Sequence, residues 1–298
     1  MNNEPNVCIV GSINMDLTVK TDKMPMQGET VLGDTFFTNP GGKGANQAVA
    51  AARMGANVNF IGAVGEDAFG KTLLQNLTNE GVRKTGIETI PDVSTGTATI
   101  ILSDNDNRII VAPGANNHVT PELVEKYRDL IKSSDIVLMQ LEVPMETIEF
   151  TTELAETNGV PIIMNPAPFQ QLPEKVLKNI SYMTPNEIEL AAMKEDPLFD
   201  FIQEKLVVTR GDKGVSFVEN GTEQDTDGYH VHVTDTTGAG DTFNGTLAGE
   251  LARGAELAEA VNVANAAAAL SVSKIGAQGG MPTKQDVQRF LQKGNITE

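Results

Sequence analysis

The sequence is poor in positive charge. Its 298 residues carry 22 Lys and Arg against 40 Asp and Glu, a formal net charge of −18 and a pI of about 4.5. A surface of that sign repels nucleic acid and anionic membranes, so neither is an expected partner. Any phosphate has to be held locally, by backbone N–H groups, a metal ion or a few placed cations. Cysteine is almost missing too. Cys8 stands alone, which excludes an internal disulfide and suits a reducing cytosol, so a cytoplasmic location is expected. Long apolar runs are lacking: Ile136 to Leu141 is far too short to cross a bilayer. Met1 to Pro5 is acidic rather than basic, unlike the start of a secretory signal. There is no tryptophan, and aromatic residues make up 5%, little material for a pocket that stacks a nucleobase. Internal repeats, low-complexity tracts and linkers are absent. What is present, 40% hydrophobic residues and 28 Gly, suffices for one α/β domain over residues 1–298 with a small appendage.

The stretch Asp235-Thr-Thr-Gly-Ala-Gly-Asp-Thr-Phe-Asn-Gly245 organises the rest of the chain. The β-branched residues from Val231 to Thr234 predict a strand before it. Gly238 and Gly240 permit a turn that residues with a Cβ resist. A helix is expected from near Asp241 through Phe243, Leu247 and Leu251. The turn Gly238-Ala239-Gly240 then aims free N–H groups at one point, with a helix dipole behind them, and forms an anion site without basic side chains. A carboxylate at Asp241, beside such a site, suits a base that takes a proton from a hydroxyl attacking a phosphate. The structural alternative is a helix start with an acidic first turn.

Other polar residues also fall at strand ends, where α/β proteins bind ligands. Val7 to Val10 is a buried-type strand leading to Asn14 and Asp16, whose alternation with Ile13, Met15 and Leu17 puts both polar groups on one face. An amide and a carboxylate there suit a polyol, or else mark a half-exposed edge strand. A short strand is expected over Thr30 to Thr38. It is followed by Asn39-Pro-Gly-Gly-Lys-Gly-Ala-Asn-Gln47 and an Ala-rich helix ending near Gly55, with Lys43 and Asn46 on its first turn. Val58 to Val64 is a strand. It runs into Gly65-Glu-Asp-Ala-Phe-Gly-Lys-Thr72, a full match to the phosphate-loop pattern. Glu66 and Asp67 would lie inside that cradle, and like charges there favour a plain strand–helix connection instead.

Thr97 to Leu102 and Arg108 to Val111 flank Ser103-Asp-Asn-Asp-Asn107 as a hairpin, suggesting a lid or an edge extension. A helix is expected over Pro121 to Lys132 with Thr120 as its N-cap, and a strand from Asp135 to Leu141 ends at Glu142. A helix over Glu146 to Asn158 is capped by Gly159, and a strand over Ile162 to Asn165 precedes Pro166-Ala-Pro168. Tyr182 to Thr184 precedes Asn186 and Glu189, three apart at a helix start. They could hold phosphate oxygens through hydrated Mg²⁺, or form a capping box. Leu206 to Thr209 and Val215 to Val218 read as a hairpin around Thr209-Arg-Gly-Asp-Lys-Gly214, which either covers a phosphate or only turns the chain. Ala258 to Val272 is a buried helix, Lys274 to Gly280 a glycine-rich loop facing the central stretch, and Pro282 to Lys293 a surface helix before a polar tail.

Taken in order, Asn14-x-Asp16, Gly41-Gly-Lys-Gly-Ala-Asn46, Asn165-Pro-Ala-Pro168, Asn186-x-x-Glu189 and Asp235-Thr-Thr-Gly-Ala-Gly-Asp241 resemble the PfkB-type sugar kinases, the ribokinase family, over nearly the whole chain. Gly-Gly-Lys-Gly-Ala-Asn-Gln-Ala, Leu-Glu142 before Val-Pro, and Gly276-Ala-Gln278 strengthen the match to the ribose kinases within it. The resemblance implies a doubly wound, mostly parallel α/β sheet flanked by helices. It also implies a small β-sheet lid from about 14–38 and 96–112, and a homodimer formed through that lid. The implied reaction passes the γ-phosphoryl group of ATP, the co-substrate, to O5 of D-ribose. Relatives use another pentose, a ketohexose or a nucleoside.

Carried over, Asp241 would be the base, with Gly238, Ala239 and Gly240 the anion hole. Asn14, Asp16, Gly42, Lys43, Asn46 and Glu142, with Asp241, would hold the sugar. Asn186, Thr209, Arg210, Gly211, Asp212, Lys213, Gly214, Gly240 and Asn265 would hold the nucleotide, and Glu189 would act through water on Mg²⁺. A monovalent cation, K⁺, would sit among Asp235, Thr237, Ser271, Lys274, Gly276 and Gly280. Asp16, Lys43 and Glu142 favour a small free sugar over a nucleoside. The chain departs from the family between Asn186 and Thr209, where a helix is expected to be cut to Pro197-Leu-Phe-Asp-Phe-Ile202. Two further readings stay open: a non-catalytic sugar sensor, and a phosphate-loop NTPase using Lys71.

Overall fold

Residues Asn6–Val10 form the first strand, β1, and both of its faces are buried. Val7 and Ile9 enter one apolar cluster, Cys8 and Val10 another. A strand covered on both sides reads as a continuous apolar run and belongs inside a parallel sheet. The computed structural model, which describes residues 4–103 and 106–293, places it there.

The chain continues as β2 (Asn14–Lys20), β3 (Thr35–Gly41), α1 (Lys43–Arg53), β4 (Asn57–Gly65), α2 (Ala68–Asn79), β5 (Arg83–Ile90), β6 (Gly96–Ser103) and β7 (Asp106–Ala112). Next come α3 (Pro121–Lys126), α4 (Arg128–Lys132), β8 (Ile136–Gln140), α5 (Met145–Thr157), β9 (Ile162–Asn165), α6 (Glu174–Asn179), β10 (Tyr182–Met183) and α7 (Glu187–Met193). The last part is β11 (Val207–Thr209), β12 (Val215–Glu219), β13 (Thr222–Thr226), α8 (Ala239–Ala252), α9 (Leu257–Ser271), α10 (Ala277–Gly280) and α11 (Lys284–Lys293).

Six parallel strands lie in the order β10-β9-β8-β1-β4-β5. Bridges from Met183 to Leu206 and from Asn186 to Thr209 lead on to the antiparallel strands β11-β12-β13. Helices α1, α8 and α9 cover one face, and α3, α5 and α6 the other. This is a doubly wound α/β fold. The strand order reverses at β1, so the space beyond the carboxyl ends of β1 and β8 is its natural crevice. A separate four-stranded sheet, β3-β2-β6-β7, stands beside it.

Two glycines set how closely α8 approaches its neighbours. A Cβ on Gly245 would lie 2.3 Å from the Gln47 carbonyl oxygen and 2.6 Å from Ala50 Cβ. Only glycine there lets α8 press against the Ala-rich α1. Gly238 caps α8 at φ 79°, and a Cβ on it would meet Ala277 Cα at 2.7 Å.

Several expected bounds change. Residues 231–234 are not a strand: the Thr234 and Asp235 N–H groups both donate to the Val272 carbonyl, so a loop, not a sheet, delivers the chain to α8. That helix starts at Ala239, which puts Asp241 inside its first turn. The strand expected over Thr30 to Thr38 is Thr35–Gly41, because it pairs only where β2 runs alongside it. The helix expected over Pro121 to Lys132 breaks at Tyr127, whose hydroxyl and the neighbouring Lys126 ammonium both reach Glu88 on β5. Thr120 caps it as expected. The loop Lys274 to Gly280 ends in one helical turn, α10. The shortened segment before β11 holds two 3₁₀ turns, Phe199–Phe201 and Gln203–Lys205. Strands β5 and β13 and helix α6 had no expectation at all. Residues 104 and 105 of the hairpin turn and the tail from 294 lie outside the described residues.

Candidate active site

The Asp241 carboxylate is held by two side-chain amides from α1. Asn46 Nδ2 donates to one oxygen at 2.9 Å, and Gln47 Nε2 to the other at 3.0 Å. Consecutive residues of one helix can both reach it because α1 and α8 touch at Gly245. Burial pushes the Asp241 carboxyl above the ordinary range. The Lys43 charge and the Gln47 and Asn46 donors pull it back, and Glu142 adds to the rise. A carboxylate raised in this way is a stronger base than an exposed Asp.

Lys43 opens α1. Its backbone N–H donates to Glu142 at 3.1 Å, just past the end of β8, and Ser12 donates to the same carboxylate oxygen. The approach depends on Gly42, at φ 87°, where a Cβ would sit 2.7 Å from the Asn14 amide nitrogen. Burial disfavours the Lys43 charge, but Asp241, Glu142, Glu189 and Asp16 outweigh it and hold the ammonium above its usual range. Asp16 lies against Gly41, where a Cβ would overlap its carboxylate. Burial, followed by the charges of Glu142 and Asp241, pushes Asp16 up to about 7, with Lys43 opposing. Asn14 accepts from Asn116 Nδ2 at 2.7 Å, so a 3₁₀ turn at Gly114–His118 fixes its amide.

A cavity of about 180 Å³ opens above Asp241. Lys43, Asn165, Thr184, Asn186, Glu189, Thr209, Gly238, Gly240 and Asn244 are among its lining residues. Asn244 donates to the Gly240 carbonyl and Thr242 to that of Gly238, which stiffens the glycine turn from behind. Gly240 needs no positive φ, and a Cβ built on it meets nothing within 4 Å. Its missing side chain leaves space in the cavity and relieves no packing. The Ala239 N–H, expected in the anion hole, already donates to the Thr236 carbonyl at 3.2 Å, so the turn offers only those of Gly238 and Gly240. That turn, one ammonium and one carboxylate around the space are the parts of a phosphoryl-transfer site.

A family model for pfkB family carbohydrate kinases matches residues 4–284. The chain belongs to the pfkB carbohydrate kinase family. It is 43% identical over 290 residues to a ribokinase of Bacillus subtilis, covering 96% of this chain and 99% of that protein. It is 31% identical over 301 residues to a deoxyribokinase of Salmonella typhimurium, covering 96% and 98%. The solved structure of Arabidopsis thaliana ribokinase complexed with ribose and ATP matches with a TM-score of 0.91 at 31% identity, over 97% of this chain and 99% of that one. This pfkB protein is a sugar kinase of the ribokinase type.

The structure gathers the expected pfkB residues unevenly. Asn186 and Glu189 form a full capping box and also line the cavity, so the two readings of that pair coexist. Burial raises the Glu189 carboxyl, against the Asn186 N–H and Lys43. Thr209 lines the cavity. Arg210 pairs with Asp225 and Lys213 with Glu187, at the protein surface. Asp212 lies in a 3₁₀ turn between Gly211, at φ 58°, and Gly214, at φ 94°. Asn265 donates to the Asp227 carbonyl at 2.8 Å.

On the cation side, Asp235 accepts from Thr237 N–H at 2.9 Å and Gly276 N–H at 2.8 Å, tying two loops together. Burial opposes the charge of this carboxylate, but the Gly276 and Thr237 donors hold it below its ordinary range. Ser271 donates to Ala268, its carbonyl abuts Gly280, the Gly280 N–H donates to Gly276, and Lys274 is exposed. Among the described residues no three His, Cys, Asp or Glu side chains gather to hold a metal. An ion here would rely mainly on backbone carbonyls, and one near Glu189 on water.

Gln47, Gln140, Asn165, Thr184, Asn244 and Gln278 had no assigned role. The phosphate-loop match is a false positive. Gly65 N–H donates to Thr95, Glu66 N–H to Ile90, and Gly70 N–H to Asp67, which also caps α2 and accepts from Thr95. No cradle of free donors is left, and Lys71 is exposed. No helix among the described residues is long and apolar enough to cross a membrane.

Proposed function

We propose that this kinase phosphorylates O5 of D-ribose, with Asp241 as its base. The observation that supports this most is the carboxylate of Asp241, fixed by Asn46 and Gln47 and open to a cavity that also holds the Gly238–Gly240 turn and Lys43. Asp241 takes the proton of the primary hydroxyl, whose oxygen attacks the γ-phosphorus of ATP, and ADP leaves with the bridging oxygen. The N–H groups at Gly238 and Gly240, with Lys43, stabilise the charge on the transferring group, and Ala239 shapes the turn between them. Asn14, Asp16, Gly42, Asn46 and Glu142 hold the sugar. The charged set Asp16, Lys43 and Glu142 suits a small polyhydroxy ligand better than a nucleobase.

Glu189 and Asn186 would hold hydrated Mg²⁺, which supplies charge neutralisation on the phosphates when bound. The loops joined by Asp235 would hold K⁺, which would stiffen the turn that presents Gly238 to Gly240. The single cysteine and the use of ATP support a cytoplasmic location. We read the four-stranded sheet as a lid. It leaves Phe36 and Ile110 about 64% and 65% exposed, and a second copy covering them would form a dimer.

The test is phosphate transfer from ATP across D-ribose, 2-deoxyribose, a ketohexose and a nucleoside. D-Ribose should give the highest kcat/KM, by about tenfold or more, the usual discrimination of one well-used contact. Preference for another acceptor would replace ribose, and no transfer to any would leave a non-catalytic sensor. In the same assay K⁺ should exceed Na⁺ at constant ionic strength, and equal rates in K⁺, Na⁺ and a bulky organic cation would remove the cation site. Sedimentation at micromolar concentration should show a dimer, and a monomer would remove the lid interface.

A further inference from the structure

The two amides that touch Asp241 are themselves held by a second layer of amides. Asn46 Oδ1 accepts from Gln278 Nε2 at 2.9 Å, and Gln278 Oε1 accepts from Asn76 Nδ2 at 2.8 Å. Gln47 Oε1 accepts from Gln140 Nε2 at 2.7 Å, while Gln47 Nε2 also donates to Asn165 at 3.1 Å. Asn76, Gln278 and Asn46 in one chain, and Gln140 and Gln47 in the other, each point the NH₂ group toward Asp241 and the oxygen away, while Asn165 turns its oxygen to Gln47 and its NH₂ to the Thr184 carbonyl. A primary amide has two orientations related by a flip, of similar shape and opposite polarity. Nothing in Asn46 or Gln47 alone selects the one that donates to the carboxylate.

The second layer makes that selection. If Asn46 flipped, its NH₂ would face the NH₂ of Gln278 and its oxygen would face the Asp241 carboxylate. The Gln140 end shows the same bias, because its Oε1 is buried with no partner, pressed against Gly11. A buried unsatisfied acceptor is unfavourable and calls for an explanation. Here the explanation is that the opposite orientation would set two oxygens against each other at Gln47. Gln278 itself is pinned: Arg53, paired with Glu80, donates to the carbonyls of Gln278 at 2.6 Å and Met281 at 2.8 Å.

We propose that Gln278 and Gln140 are positioning residues which lock the flip state of Asn46 and Gln47, so that both oxygens of Asp241 always face donors. The role belongs to helix α10 and strand β8, neither of which supplies the base, and it extends to Asn76 on α2. It rests on the reading of Asp241 as the base.

The experiment is the pH dependence of kcat, at saturating ATP and ribose, for the full chain and for Gln278→Met and Gln278→Glu, with thermal unfolding of each. Met has a similar length with neither donor nor strong acceptor, so Asn46 becomes free to turn. The acid limb of kcat should move up by about half a pH unit, with rates on that limb about threefold lower and recovering on the plateau above it. Glu can only accept, forces Asn46 to turn its oxygen on Asp241, and should move the limb by about one unit or more. Asp16, Glu142, Lys43 and Glu189 face the same space from β2, the end of β8, α1 and α7. They act equally in parent and variants, so the difference isolates the amides.

A through-space effect of the new charge would move the limb in Gln278→Glu alone. An unmoved limb in Gln278→Met therefore overturns the proposal. Should Gln278→Met not fold, Asn76→Leu carries the same test one link further out, with a smaller shift in the same direction. Asp241→Asn in the same series separates the two readings. Near-parent turnover there removes the base itself, whereas loss of turnover with an unmoved Gln278→Met limb removes only the amide lock.

Discussion

Replacing Asp241 by Asn is expected to lower kcat by roughly 10²- to 10⁴-fold, the usual worth of a positioned base. The substitution keeps the shape of the side chain and removes only its ability to take a proton. The site around it is otherwise complete, with the Gly238–Gly240 turn in place and Lys43 still lining the cavity. The fall should therefore appear in kcat, with sugar affinity changed little. Stability should not fall with it. The Asp241 carboxyl is raised above its unfolded value, so the native state binds the proton more tightly and stability declines as pH rises through that window. A neutral side chain escapes that loss, which offsets the poorer fit of an amide to the Asn46 and Gln47 donors. Rates from ADP release, with unfolding midpoints from the same preparation, check both halves. Turnover near that of the parent would take Asp241 out of the mechanism.

The second large effect is expected at Gly240, and it separates activity from folding more sharply. Gly240→Ala should reduce kcat/KM for ATP by about 10²-fold, the scale on which a displacement near 1 Å costs rate. The same change should raise the unfolding midpoint. Gly240 lies in the first turn of α8, at a negative φ, and a Cβ there meets no atom within 4 Å. Alanine in such a helical position stabilises by about 0.4–1 kcal/mol, largely by restricting the unfolded chain. The methyl group would instead occupy the space above the N–H groups of Gly238 and Gly240 and hold a phosphate off them. Glycine at 240 is thus explained by what enters the cavity. Gly238→Ala makes the contrast, since its Cβ would strike Ala277 and destabilise the helix start directly. A stabilised Gly240→Ala protein with full activity would show that no anion approaches this turn closely.

Much of this molecule is legible in the order of its residues. Val7 to Val10, Ile136 to Leu141 and Ile162 to Asn165 read as buried strands because a parallel sheet covered on both faces needs uninterrupted apolar runs. Gly238 and Gly240 before a buried helix announce a turn, and Asp241 beside them announces a candidate base. These are local signals, set by φ/ψ preference and by periods of two or 3.6 residues, and they survive without the rest of the chain. Where an element depends on a distant partner, the reading slips. Residues 231–234 have the composition of a strand, but the Thr234 N–H, with that of Asp235, finds the Val272 carbonyl rather than a sheet edge. Residues 30–34 fall outside β3 because β2 does not extend to pair with them.

The phosphate-loop match and the amide shell divide what sequence determines from what tertiary structure decides. The pattern from Gly65 to Thr72 is complete as a string. Its failure lies in Thr95 and Ile90, brought back along the sheet to take the N–H groups that a phosphate would need. The acidic Glu66 and Asp67, and the bulk of Phe69, hinted at this. Sequence determined the family, the fold class, the glycine turn and the candidate base, because each is carried by contiguous residues whose conformational preferences are local. Tertiary structure alone decided the company that base keeps. Gln47, Gln140, Asn165 and Gln278 come from a helix, two strand ends and a single helical turn, with no spacing that links them. The contact of α1 with α8 at Gly245 turns them into two converging chains of hydrogen bonds, since a donor's direction is fixed only when every group it could bond to is in place.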